Sequence, residues 1–486
     1  MNTPGRLLLA ALVAILSASL CRAADYVWMI GGGPFPWNSQ GQIELNVQWA
    51  LEVIRRKNPD ASIRVFYTDG DEPGPDVVAY RNRTAETSPM FPIARVFGDA
   101  AENAEIYYNH SIPGVEGGTR AGPLKQRLAH DMSRLTAADS GLIIYNGHGS
   151  GDAADHGRNA LNLWDNTFLD VYEFEELLSR SDPRTPMRFI MTQCYSGAFS
   201  RAVHPAAADD TLELEGIRCG FMAESAEREA EGCSASLRIG EYRDYTTYFF
   251  AALNGKTRLD ETLRDDPDSN HDGKVTLREA HFYTLATAYS TDLSRSTSEE
   301  YLDSWQPWYT RWISGNATAN NSVFISVARK LMASNGLERE FAGGVRRAVS
   351  YSRRLLDEYA MKTQEYESLK NRITSIHRAI RKDVLMRYPQ LQAGATDAYV
   401  DMINGRLPEI RGAIMNHARY GELDALFREE EESAARLLDS ERRLAQIEKV
   451  FRLRQLAKTE DYLARFGAQS DRTGYARLVR CEDTAL

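Results

Sequence analysis

Leu142-Ile143-Ile144-Tyr145-Asn146-Gly147-His148-Gly149-Ser150 and Arg188-Phe189-Ile190-Met191-Thr192-Gln193-Cys194-Tyr195-Ser196-Gly197 decide how this chain folds. Each is a short apolar run that stops at polar residues with a glycine close by. Runs of that length, bounded by turn residues, read as strands buried on both faces. Working outward, residues 26–30 form another such run, which breaks at Gly31-Gly32-Gly33-Pro34. A helical spacing follows through Ile43, Val47, Leu51 and Ile54, then a second strand at residues 62–67, and a helix at residues 174–178. Strands alternating with helices over residues 26–253 predict an α/β domain with a mainly parallel sheet flanked by helices. Chemistry in such sheets collects at the carboxyl ends of the strands.

The ends of the chain have a different texture. Residues 1–23 carry Arg6, an apolar stretch from Leu7 to Leu20, and the small-x-small site Cys21-Arg22-Ala23, the pattern of a secretory signal peptide. The expectation is a mature protein that begins at Ala24 and is secreted or periplasmic. No later window has the 18 apolar residues of a membrane span. With 58 Lys and Arg against 68 Asp and Glu, the net charge of −10 argues against a nucleic-acid binder. Beyond residue 321, Gly and Pro thin out. Leu355, Tyr359, Tyr366, Leu369, Ile373, Ile376 and Ile380 form a heptad seam that Pro389 closes, and Leu437, Leu444, Ile447 and Phe451 form a second. Two seams predict an all-α helical hairpin or bundle over 321–486, open to intramolecular or oligomeric contact.

Four cysteines follow the leader: Cys194, Cys219, Cys233 and Cys481. Export favours pairing. Cys219 and Cys233 flank a short polar segment that a disulfide closes readily, so that bond is expected, with Cys194 and Cys481 left as thiols.

The two deciding stretches place His148 and Cys194 beyond two strands, each near glycine. Imidazole accepts a thiol proton and later returns it to a leaving amine. The N–H groups of Gly149 and Cys194 are candidate donors to an oxyanion. His148-Gly149-Ser150 followed by Gln193-Cys194-Tyr195-Ser196-Gly197 resembles the caspase-like cysteine peptidase superfamily, and its legumain-like family most closely. The histidine precedes the cysteine by 46 residues, near the roughly 50 of caspases. The resemblance covers residues 26–312. It implies a caspase-like domain at 24–320, a peptide or protein substrate, His148 as general base and acid, Cys194 as nucleophile and Gly149 as oxyanion donor. Gly147 departs from the acid that legumains have before the histidine. The resemblance also implies that 321–486 covers the cleft as a helical pro-region whose removal raises activity. Cys481 as a redox cap on Cys194 belongs to the same expectation.

Asp268-Ser269-Asn270-His271-Asp272-Gly273-Lys274-Val275-Thr276-Leu277-Arg278-Glu279 matches an EF-hand loop at every position. Asp268, Asn270, Asp272 and Glu279 offer side-chain oxygens, Lys274 its carbonyl and Thr276 a site through water. A structural Ca²⁺ is therefore expected, with no cofactor for catalysis. Trp305, Trp308 and Trp312 with Tyr301 and Tyr309 read as a core seam or a cleft wall. Taken together, the sequence points to an exported, calcium-braced cysteine endopeptidase. The alternatives are a peptide ligase using the same dyad and a catalytically silent calcium-binding scaffold.

Overall fold

The computed structural model describes residues 24–81, 89–97, 104–204, 213–305, 307, 322–392 and 397–486. The expected leader at 1–23 and Trp308, Tyr309 and Trp312 lie outside them. The strands are β1 (Asp25–Gly32), β2 (Ser62–Tyr67), β3 (Val77–Arg81), β4 (Ala104–Tyr108), β5 (Val115–Gly117), β6 (Ser140–Ser150), β7 (Ala160–Leu163), β8 (Thr167–Asp170), β9 (Pro186–Met191), β10 (Ile217–Met222) and β11 (Arg295–Ser296). The main sheet runs β11-β10-β9-β6-β1-β2-β5. Its pairs are parallel except β10 with β11 at the edge. β7 and β8 extend the long end of β6 in antiparallel fashion.

Successive strand residues point to opposite faces, and β1 shows it. Trp28 and Ile30 enter one core, whereas Val27 and Met29 enter the other. The helices of the α/β part are α1 (Gly41–Lys57), α2 (Phe91–Phe97), α3 (Ala121–Met132), α4 (Val171–Leu178), α5 (Tyr245–Asn254), α6 (Leu277–Thr287) and α7 (Thr297–Ser304). Then come α8 (Val323–Ser334), α9 (Glu338–Ala342), α10 (Val345–Arg387), α11 (Asp397–Met415), α12 (Leu423–Phe466) and α13 (Gln469–Glu482). The class is thus the expected one, a mainly parallel sheet flanked by helices with an all-helical C-terminal region.

Helices α10 and α12, of 43 and 44 residues, pair along the heptad seams. Lys362 donates to Ser440 at 2.6 Å, and Glu365 faces Arg436 three residues later and four residues earlier. The two therefore run antiparallel, each about 65 Å long at 1.5 Å per residue. Leu369, Ile373, Ile376 and Ile380 form a separate core with α2, α11 and the start of α12. The second half of α12 behaves differently. Its Ile447, Val450, Leu453 and Leu456 join Phe189, Phe282 and Phe324 in the core beneath the sheet. The helices after residue 321 therefore complete the α/β core in addition to forming a bundle.

The cysteine pairing differs from expectation. Cys219 is bonded to Cys481, 262 residues away, and Cys194 and Cys233 are free. Cys219 is the third residue of β10 and is fully buried. Three more residues at about 3.3 Å each carry the chain to the carboxyl edge before it turns toward Cys233. α13, packed on β10, brings Cys481 to Cys219 instead. Nearness in sequence thus failed to predict nearness in space. Cys481, already bonded, is also not the cap on Cys194.

Candidate active site

β6 and β9 are neighbours in parallel register, with Tyr145 opposite Met191. His148 and Cys194 each lie three residues further on, so both reach the same carboxyl edge. The two chain ends approach so closely there that a methyl group at Gly149 would overlap the Cys194 carbonyl oxygen. Gly149 itself stands opposite Leu161 in the β6–β7 ladder. Tyr195, right after the cysteine, has φ 59° and ψ 19°, left-handed values that a side chain disfavours. A single-residue kink followed by the 3₁₀ turn of Ser196–Val203 makes a strand–turn–helix corner, and the Tyr195 N–H holds it by donating to the Arg228 carbonyl at 2.8 Å. Such corners present the preceding residue, and backbone strain of this kind clusters at functional sites.

The imidazole of His148 is held by the segment after β1. Its Nε2 lies 2.8 Å from Gln40 Oε1, and the ring also bonds the Asn38 carbonyl. The Tyr145 hydroxyl lies 2.9 Å from both the His148 and Asn162 carbonyl oxygens, fixing the end of β6. Burial pulls the His148 pKa below its ordinary value. Burial likewise pushes the Cys194 thiol up, and the negative charges of Glu229 and Asp292 push the same way, against a backbone hydrogen bond from Ala230; the sulfur also lies 4.0 Å from the Ala230 carbonyl oxygen. The cysteine's sulfur contact is to that carbonyl and the imidazole's contacts are to residues 38 and 40, so the pair rests as neutral thiol and neutral imidazole.

Residues 223–234, the strap after β10, form the other side of the site. The Glu224 N–H donates to Ser196 Oγ at 3.0 Å, and the Glu224 carboxylate accepts from the Ser225 and Leu293 amides at 2.7 and 3.0 Å. Asp292 Oδ1 accepts from the Glu231 amide at 2.6 Å, while its Oδ2 is buried without a hydrogen-bond partner. Burial, reinforced by Glu224, lifts the Asp292 pKa well above the usual carboxylate range. α12 reaches in from outside: Arg442 pairs with Glu231, Gln446 donates to the Ser290 carbonyl at 2.8 Å, and Lys449 is buried among these acids. Burial lowers the Lys449 pKa to about 8, against the pull of Asp292, Glu224 and Glu231.

The predicted calcium loop lies away from this edge, between α5 and α6. His271 and Gly273 take φ of 59° and 84°, folding the loop back on itself. Asp268 accepts from the Asp272 and Gly273 amides at 3.2 and 2.9 Å, Asn270 from Asp272 at 2.9 Å, and Asp272 from Lys274 at 2.9 Å. Glu279 reaches back to the Ser269 and Thr276 amides at 2.9 and 3.0 Å. These oxygens fit a hard cation, since a carboxylate oxygen holding one N–H keeps a further lone pair. Among the described residues no three His, Cys, Asp or Glu side chains gather into a metal-holding group; the loop's oxygens include the Asn270 amide and the Lys274 carbonyl beside its acids. Thr276 Oγ1 caps α6 and donates to Asp483 at 3.0 Å, so this side chain serves the helix and the C-terminal tail.

The sequence singles out His148, Gly149 and Cys194, and the structure places them at one edge of the sheet. The sequence leaves Gln40 and Asn38 unmarked, though the Gly31–Pro34 break just ahead of them marked a chain exit at the same edge. The glutamates at 224, 227, 229 and 231 were visible as a run. Lys449 gave no signal, because it sits in an ordinary charged helix. Of the aromatic cluster, Tyr301 and Trp305 are buried, with the Trp305 indole N–H donating to Asp471 of α13 at 2.9 Å. They form a seam with the C-terminal helix.

An α/β domain with a cysteine and a histidine at adjacent central strand ends is the class that fold and site define. No protein-family model and no curated protein matches the chain. Among solved structures, the crystal structure of protein GSU0716 from Geobacter sulfurreducens superposes with a TM-score of 0.32 and 9% identity, covering 54% of this chain and 88% of that one. Among the described residues no helix is long and apolar enough to cross a membrane.

Proposed function

We propose that this protein is a cysteine-type endopeptidase of the caspase-like kind, exported and braced by calcium. The observation that carries this reading is the placement of Cys194 and His148 three residues beyond paired positions of β9 and β6, at one edge of the sheet, with the left-handed Tyr195 following the cysteine. In the proposed reaction the thiol gives its proton to His148 as the sulfur attacks a peptide carbonyl. The Gly149 and Cys194 amides take the oxyanion. The C–N bond then breaks as His148 returns the proton to the leaving amine, and water cleaves the thioester to regenerate the thiol. To take the thiol proton, the imidazole frees one ring nitrogen from Gln40 or the Asn38 carbonyl, its partners at rest. Calcium, when bound by Asp268, Asn270, Asp272, Glu279 and the Lys274 carbonyl, supplies charge to stiffen the loop entering α6 and takes no part in the chemistry. The helices after residue 321 cover the strap beside the nucleophile, a role supported by the Arg442–Glu231 pair.

The test is covalent labelling of the mature, disulfide-intact protein by peptides with an electrophilic ketone. Labelling is expected at Cys194, absent in Cys194→Ala, and at least about a hundredfold slower in His148→Ala, the usual size of a general acid–base contribution. Labelling indifferent to His148 would leave only a reactive thiol, and no labelling at all would favour the silent scaffold. Product analysis with an added amine separates hydrolysis from ligation.

A further inference from the structure

Resting on that reading, we infer that the site takes cationic peptides, with arginine or lysine at the bond to be cut. A groove of about 500 Å³ opens directly from the nucleophile turn, between Tyr195 and the α10–α12 hairpin. Glu227, Glu229, Glu441 and Glu448 line it, against Arg228 as the single cationic residue. Arg228 is itself engaged, 3.8 Å from Glu448 and 3.9 Å from Glu224. Glu229 holds the Tyr195 hydroxyl at 3.2 Å, and neither it nor Glu441 has a cationic partner among the described residues. Leu356 and Phe451 supply apolar wall on which the methylene stem of a lysine or arginine lies while its head reaches a carboxylate.

A buried acid also lies near the thiol, outside the residues that line the groove. Asp292 is 1% exposed and its Oδ2 has no partner. Its other oxygen binds the amide of Glu231, the residue next to Ala230, whose carbonyl touches the Cys194 sulfur. The nearest cation to this acid is Lys449, whose ammonium forms no ion pair within 4.0 Å among the described residues. The groove carboxylates share one unmet requirement, positive charge. A substrate that brings it satisfies the acids, and it also offsets the negative charge that disfavours the Cys194 thiolate. Neutral or acidic side chains do neither. An acid-lined cleft with apolar walls concentrates cationic ligands by the same field.

The measurement compares labelling rates of peptide ketones that differ only in the residue before the warhead: Arg, Lys, Asn, Asp and Leu. Arg and Lys probes are expected to react at least about tenfold faster than Leu, with the ratio falling as salt rises. In Glu229→Gln/Glu441→Gln, at the rim where folding is not at stake, the Arg-to-Leu ratio is expected to drop severalfold. Rates for Asn, Asp or Leu probes equal to or above those for Arg overturn the inference while leaving the peptidase reading intact. A fluorescent, unreactive arginine peptide binding to Cys194→Ala gives the converse control. Salt-sensitive binding without labelling of the native thiol by any probe removes the peptidase and keeps the cation-binding groove, and no binding removes the groove.

Discussion

Cys194 is a thiol without a counterion. Burial and the charges of Glu229 and Asp292 favour its protonated form, while burial favours the neutral form of His148. Alkylation by iodoacetamide is therefore expected to follow a titration with its midpoint above the roughly 8.5 of an ordinary thiol. A midpoint near 6 or below would show a preformed thiolate–imidazolium pair and contradict the resting state described above. At this scale the sequence singled out a histidine and a cysteine and was silent about what surrounds them. His148 and Cys194 carried a local signature, a glycine-flanked residue beyond an apolar run. Gln40 precedes its histidine partner by 108 residues and Asp292 follows the cysteine by 98, and neither stands in a pattern that distinguishes it from a solvated polar residue.

At the scale of elements, strands and helices follow from period and punctuation. β2 has the bounds that the apolar run set, and Pro389 stops α10, which ends at Arg387. The loop at 268–279 shows what a local motif leaves to its surroundings. One of its two left-handed positions is glycine, at 273, and the other is His271, yet its partner is supplied by the far end of the chain: Leu277 N–H donates to the Thr484 carbonyl, and Thr276 bridges to Ala485. A calcium ion held here should stabilise the fold by about 2.7 kcal/mol at a hundredfold excess over its dissociation constant. The expected outcome is an unfolding temperature that rises with calcium, falls with chelator, and loses both responses in Asp268→Ala. An unfolding temperature indifferent to calcium would leave the loop as a self-bonded turn.

Across the whole molecule, the C-terminal helices are built into the α/β core. α12 contributes Ile447, Val450 and Leu453 to the layer beneath the sheet, and α13 is tied to β10 by Cys219–Cys481. Glu482, fully buried, accepts from the Ser298 amide at 2.6 Å and from the Thr297 hydroxyl at 2.8 Å, locking the same end. Excision of 321–486 thus strips apolar partners from the sheet, which is why activity tests keep the whole chain. Cys481→Ser is expected to destabilise the protein by about 2–5 kcal/mol, as loss of a native disulfide does. Cys233→Ser should leave the disulfide map unchanged. Denaturant unfolding with peptide mapping of the non-reduced protein measures both, and a Cys219–Cys233 peptide would refute the pairing.

The sequence by itself determined what depends on a dozen consecutive residues: the alternation of strand and helix, the histidine and cysteine beyond two strands, the oxygen-rich loop and the heptad seams. These are local because side-chain period and turn chemistry act within a few residues. Tertiary structure alone decided that Cys219 meets Cys481, that α12 walls an acid-lined groove beside Tyr195, and that Asp292 lies buried near the thiol. Those contacts join segments about a hundred to more than two hundred residues apart. They are set by how the helices pack on the two faces of one sheet, a property of the folded chain that no short window of sequence contains.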